Sequence, residues 1–295
     1  MCLETSVGSL KMKNPLMLAS GILDMTRQSM EKFGDAGAVV TKSIGMEMRK
    51  GHGNPSVVEM EHGLLNAMGL PNPGAEYYLN ELDGINVDNI IGSILGKDKG
   101  EFSGVAKIIE GKVDAIEMNM SCPHAGSYGA GFPTETIREA VGAVKESVEI
   151  PVFVKLGAEN IIERAEAAEA GGADAIVAIN TIRAMAINVE TATPILANQV
   201  GGYSGPAIKP IGIRCVYELA GKVDIPIIGV GGITRTMDVL EYMMAGASAV
   251  QIGSGIYYRG EKIFGEICNE LEGWLKLQGY DGIKDIVGIA VKNHH

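Results

Sequence analysis

The chain has 295 residues, 46% hydrophobic and 21% charged, which is too apolar for a disordered protein and long enough to enclose a large core. Lys and Arg number 25 against 36 Asp and Glu, a net charge of −11, so it lacks the basic excess that nucleic-acid or anionic-membrane binding needs. No stretch approaches the about 20 apolar residues of a membrane span, and MCLETSVGSLKMKN lacks a basic region followed by an apolar one, so a cytoplasmic protein is expected.

The 40 glycines sit mostly at the ends of apolar runs, where turns and close backbone approach are needed. In chain order these runs are LMLAS (16–20), AGAVVTKS (36–43), NIIGSI (89–94), VDAIEMN (113–119), PVFVKL (151–156), GGADAIVAIN (171–180), IPIIGVG (225–231) and AGASAVQIGS (245–254). They predict eight strands near positions 18, 39, 92, 116, 153, 177, 228 and 251. Strands apolar on both faces belong to parallel sheets, and helical spacing in IIERAEAAEA (161–170) and MDVLEYMMA (237–245) supplies crossovers. The predicted fold is α/β, a (β/α)8 TIM barrel forming a single domain over residues 1–295. Residues 44–88 and 181–210, rich in Gly, Pro and Asn, read as long loops inserted at the C-terminal face. A doubly wound open sheet is the runner-up. It lacks the Gly-rich nucleotide turn expected after the first strand.

Barrel active sites lie at the C-terminal strand ends. Here those ends carry Ser20, Lys42 and Ser43, Ser93, Asn119 to Cys122, Lys155, Asn180 and Thr181, Gly231 and Gly232, and Gly253 and Ser254. Lysines and asparagines there can bind anionic and amide-bearing groups. Ser20 and Ser93 could instead cap the following helices. Cys122, in EMNMSCPHAGSYGAGFP, is a candidate base or nucleophile, because a thiol near pKa 8.5 is readily tuned. Ser127, Tyr128 and GAGFP (129–133) read as a lid over it. The glycines of IPIIGVGGI (225–233) and AVQIGSGI (249–256) offer backbone N–H groups to a phosphate. His52, His62 and His124 lack metal spacing, so no metal site is read. Cys2, Cys215 and Cys268 are taken as free thiols, and His294 and His295 are assigned no role.

LNAMGLPNPG (65–74), MNMSCPHAG (118–126), VFVKL (152–156), AINT (178–181), GGYSGPAIKP (201–210) and GVGGI (229–233) resemble, in order, the dihydroorotate dehydrogenases. The resemblance implies a (β/α)8 barrel holding one FMN per chain and oxidising (S)-dihydroorotate to orotate in pyrimidine biosynthesis. Position by position, it implies FMN contacts at Ser20, Lys42, Ser43, Ser93, Asn119, Lys155, Ile179, Gly205, Gly231, Gly232, Gly253 and Ser254. It implies substrate contacts at Lys42, Asn66, Ala67, Met68, Gly69, Leu70, Asn119, Asn180 and Thr181. Cys122 matches the base that removes the C5 proton while a hydride leaves C6 for the flavin.

Cys122 and the short N-terminus resemble the soluble class, since membrane-bound members carry an N-terminal extension and a serine base. AMAINVETATPILANQVGGYSGPAIKP (184–210) resembles the NAD-linked, two-subunit branch rather than the fumarate-using homodimer. That branch implies a homodimer joined by an electron-transfer subunit carrying FAD and a [2Fe–2S] cluster, forming a heterotetramer. His124, Ser93 and Ser254 depart from the family's usual residues. Competing readings keep the flavin but change the dihydropyrimidine, drop the flavin for a phosphate-binding isomerase or lyase, or make the chain an idle subunit. Lys42 argues against a substrate without a carboxylate.

Overall fold

A computed structural model of the protein describes residues 2–22, 26–121 and 132–293. Cys122, His124, Ser127, Tyr128, residues 129–131, His294 and His295 lie outside them. The eight expected strands form a closed barrel. They are β1 (Leu16–Leu18), β2 (Ala38–Val40), β3 (Ile90–Ile94), β4 (Ala115–Asn119), β5 (Val152–Leu156), β6 (Ala175–Ala178), β7 (Ile227–Val230) and β8 (Ala247–Ile252). Each pairs in parallel with its neighbour in sequence, and β8 closes on β1 through Val250↔Leu16 and Gln251↔Met17.

The strands are short apolar runs because both faces are buried. One parity, including Leu16, Val39, Ile116, Val154 and Ile176, meets the surrounding helices. The other, including Met17, Val40, Ile91, Phe153, Val177 and Ile228, fills the interior. A hairpin of Thr5–Val7 and Leu10–Met12 adds Val7, Leu10 and Met12 to that interior cluster, and Thr5 donates to the Ser248 carbonyl at the start of β8 (3.0 Å). The hairpin therefore stoppers the N-terminal end of the barrel.

The helix Lys99–Ile109 shows how the outer layer is specified. Asp98 caps it by accepting from Glu101 N (2.9 Å), and Phe102, Val105, Ala106 and Ile109 recur on the face turned to the barrel. Burying Phe102 contributes about 1.5–3 kcal/mol. The helix Ile161–Ala170 ends at Gly171 and Gly172. Gly172 has φ +91, a left-handed turn that returns the chain to β6.

The segments read as long loops contain more order than their composition announces. Val57–Met60, Gly63–Asn66, Gly201–Ser204 and Ile182–Ala184 form a four-stranded antiparallel sheet, in which Gly63–Asn66 and Gly201–Ser204 are central. It joins the insertions after β2 and β6 on the C-terminal side of the barrel. Among the described residues, no helix is long and apolar enough to cross a membrane.

Candidate active site

Along the strands, the interior column changes from apolar to polar. Ile91 gives way to Ser93, Ala115 to Glu117 and Asn119, Phe153 to Lys155, and Ala249 to Gln251. A strand residue and its second neighbour face the same way, so these polar groups converge at the C-terminal mouth. All five are at most 9% exposed, and burial on this scale costs free energy unless hydrogen bonds offset it.

Two networks supply those bonds. In the first, Ser43 Oγ and Ser93 Oγ lie 2.9 Å apart, and Asn119 Nδ2 donates to Ser43 Oγ (3.2 Å). Asn119 Oδ1 accepts from Ser121 Oγ (2.8 Å) and Asn180 Nδ2 (3.3 Å), and Asn180 also bonds Ser121. One chain of amides and hydroxyls thus runs across the ends of β2, β3, β4 and β6. It unites five of the strand-end residues expected from sequence, Ser43, Ser93, Asn119, Ser121 and Asn180. Ser93 is engaged inside the barrel mouth and does not cap the following helix, whose N-cap is Asp98. In the second network, Lys155 Nζ donates to Gln251 Oε1 (2.8 Å), Gln251 Nε2 donates to Glu117 Oε2, and Lys155 Nζ lies 3.6 Å from Glu117 Oε1.

Lys42 follows β2, half-buried. Burial lowers the pKa of its ammonium from the ordinary 10.5, and no charged neighbour among the described residues offsets this. Such a lysine gains most from an incoming anion. The Asn66–Leu70 loop leaves the antiparallel sheet. Asn66 Nδ2 donates to the Gly202 carbonyl (3.2 Å), His52 N to the Met68 carbonyl (2.9 Å), and Asn72 Nδ2 to the Leu70 carbonyl (3.0 Å). Asn72 Oδ1 accepts from Gly45 N (3.1 Å) and Gly74 N (3.0 Å), so one buried side chain ties three turns together. Thr181 is exposed at the end of its segment, and its N–H bonds Asn180 Oδ1 (2.8 Å).

The glycine positions form a second group. Gly232 has φ +69, and a Cβ on it would stand 2.8 Å from the Gly205 carbonyl oxygen and 2.9 Å from Lys209 N. The turn after β7 therefore meets the insertion after β6 at a point that admits only glycine. Tyr242, buried behind it, donates to the Gly231 (2.8 Å) and Val230 (3.2 Å) carbonyls, and burial pushes its phenol well above the ordinary value of 10. Asp238 anchors the same turn by accepting from Thr234 N (2.9 Å), Arg235 N (3.1 Å) and Lys209 Nζ (2.9 Å). Gly253 and Ser254 end β8, with Ile22 and Ala19 of the β1 loop beside Gly253. Ile179 is buried and bonds the Val230 carbonyl through its N–H (3.1 Å), while Ser20 is half-buried after β1.

Sequence reasoning missed Glu117, Gln251, Asn72 and Asp238. The signal for the first two was a polar residue at interior parity in an otherwise apolar strand. Among the described residues, no group of three or more His, Cys, Asp or Glu could hold a metal ion.

A closed parallel barrel with a lysine, an amide chain and glycine turns gathered at one mouth has the layout of a barrel enzyme built for a small polar substrate. The family model for dihydroorotate dehydrogenase matches residues 2–275. The chain is 50% identical over 300 residues to dihydroorotate dehydrogenase B (NAD(+)), catalytic subunit, of Methanocaldococcus jannaschii, covering 98% of each chain. It is 49% identical over 297 residues to the protein of the same name from Pyrococcus horikoshii, again covering 98% of each. The Methanosarcina mazei counterpart is 47% identical over 292 residues, 95% of this chain and 93% of that one. The chain belongs to the dihydroorotate dehydrogenase family.

Proposed function

We propose that the chain, as one cytoplasmic barrel domain, is the catalytic subunit of an FMN-dependent dehydrogenase. It oxidises (S)-dihydroorotate to orotate in de novo pyrimidine biosynthesis. The observation that carries this reading is the buried amide and hydroxyl chain from Ser93 to Asn180. A dihydropyrimidine ring presents amide N–H and carbonyl groups that need paired partners, and Asn66, Asn119 and Asn180 offer both.

The residues also fit a phosphate-bearing flavin. Gly231, Gly232, Gly253 and Ser254 directly follow β7 and β8, where glycine turns can offer backbone N–H groups to a phosphate, and Lys155 adds a buried cation. FMN would be held by these groups together with Ser20, Lys42, Ser43, Ser93, Asn119, Ile179 and Gly205, and when bound it supplies the hydride acceptor. Lys155 would supply positive charge that stabilises an electron-rich flavin electrostatically. Lys42 takes the substrate carboxylate, Asn66–Leu70 and Thr181 close around the ring, and Cys122 removes the C5 proton as C6 gives up its hydride, leaving a C5=C6 double bond. The expected assembly is a homodimer joined to a subunit carrying FAD and a [2Fe–2S] cluster, which passes electrons to NAD.

The test is spectroscopic. Purified protein should carry a yellow chromophore, release FMN on denaturation and bleach with dihydroorotate in the absence of oxygen. Protein that holds no flavin after reconstitution, or flavin that dihydroorotate does not reduce, would overturn the reading.

A further inference from the structure

Glu117 and Gln251 are each 0% exposed inside the barrel, and Glu117 pairs with Phe153, one pleat below Lys155. They sit at interior parity among Phe153, Val177, Ile228 and Ala249, where an apolar pair would fill the space without desolvation cost. Gln251 accepts from the Lys155 ammonium and donates to Glu117, so its amide is oriented at both ends. Gln251 Nε2 donates to one Glu117 oxygen and the Lys155 ammonium stands 3.6 Å from the other, an arrangement complementary to negative charge on Glu117. Glu117 Oε1 has no hydrogen-bond partner of its own, so the lysine is the group that answers it.

We propose that Glu117, acting through Gln251, is the counter-ion of Lys155, fixing where its ammonium stands and setting how much positive charge the barrel presents to a bound flavin. This rests on the FMN reading above. Glu117 and Gln251 are positioning residues, since they reach the ligand only through the lysine. A two-electron-reduced flavin carries negative charge near N1, so a cation favours the reduced form and a compensating anion moderates it. Removing the anion therefore raises the midpoint potential. Adding a second carboxylate beside the lysine lowers it.

The experiment titrates the bound FMN against a reference dye in three variants, with flavin content and circular dichroism measured on each. Glu117→Gln keeps the shape and the acceptor for Gln251 but removes the charge. It should shift the oxidised-to-reduced equilibrium by at least about tenfold toward reduced flavin, about 30 mV for a two-electron couple. Glu117→Asp retains the charge and should stay within about threefold of the parent chain, about half a logarithmic unit. Gln251→Glu should shift the equilibrium the other way, because it puts negative charge at the Gln251 Oε1 position, 2.8 Å from Lys155 Nζ, closer than Glu117 at 3.6 Å. It also reads the proposal independently if Glu117→Gln does not fold. A folded, flavin-loaded Glu117→Gln protein with an unchanged potential overturns the proposal, as does a Gln251→Glu potential that is unchanged or raised. Absence of flavin from the parent chain refutes the FMN reading instead.

Discussion

Asp238→Asn isolates what holds the turn after β7. Asp238 is 2% exposed and accepts from Thr234 N, Thr234 Oγ1, Arg235 N and Arg235 Nε, and from Lys209 Nζ at 2.9 Å. An asparagine can keep accepting from the backbone N–H groups with its oxygen, but its amide then points N–H groups at the Lys209 ammonium. A hydrogen bond to a charged group is worth about 1.5–3 kcal/mol, and breaking a fully buried pair costs about 3–5 kcal/mol. Lys209 retains Glu241 at 2.7 Å, so the loss belongs near the lower figures, about 2–3 kcal/mol. For a chain of this length that corresponds to a fall in Tm of roughly 3–5 °C. Glu241→Gln, at a half-exposed carboxylate, should cost less than about 1 kcal/mol. The assay is urea or thermal unfolding of both variants.

The pH dependence gives a second reading. Burial works to raise the Asp238 carboxyl, but the bonds from Lys209 and Thr234 outweigh it and hold the group below the ordinary 3.8. A depressed carboxyl stabilises the fold above its unfolded value and loses that contribution as pH falls through the folded one. The gap between parent and variant should therefore shrink below about pH 3.8. Equal losses for Asp238→Asn and Glu241→Gln, or a gap that widens in acid, would refute the assignment of Asp238 as the anchor.

Lys42→Met should weaken orotate about tenfold to a hundredfold, the loss of one charge-assisted contact, while uracil analogues without a carboxylate lose little. Because burial lowers the Lys42 ammonium, orotate affinity in the parent chain should fall at a less alkaline pH than an ordinary lysine near 10.5 would give; equilibrium titration checks both. Gly232→Ala forces a Cβ toward Gly205 and Lys209 at a positive φ, so FMN should dissociate at least about tenfold faster, measured by flavin release into excess apoflavodoxin. Cys122→Ala should leave orotate binding nearly intact and slow flavin reduction by dihydroorotate by at least about 10²-fold in stopped flow. Unchanged reduction would remove Cys122 from the mechanism.

All eight barrel strands were legible because a parallel strand buried on both faces must be a short apolar run, and each predicted centre falls within its strand. Residues at the strand ends were legible for a related reason: Lys42, Asn119 and Lys155 interrupt those runs with groups that burial disfavours. Glu117 and Gln251 escaped notice because attention to the ends discounts a polar residue one pleat below. The antiparallel sheet escaped because its strands, Gly63–Asn66 and Gly201–Ser204, owe their partnership to the barrel that brings them together. Asn72 looked like punctuation in a Pro-rich loop, since nothing local shows that its side chain faces Gly45 and Gly74.

That sheet also bears on the order in which the molecule comes together. Most barrel pairings link segments adjacent along the chain, whereas Leu64 pairs with Ser204, 140 residues away. Contact order predicts that pairings of such range form late. Much of the barrel can then assemble before the Asn66–Leu70 loop, proposed above to close on the substrate, has its support. Orotate, binding only after the sheet has zipped, would draw the chain through this final step. At about a hundred times its Kd it would deepen the finished state by about 2.7 kcal/mol. In hydrogen exchange, the amides of Gly201–Ser204 should then be the first to open without orotate and the ones it protects most.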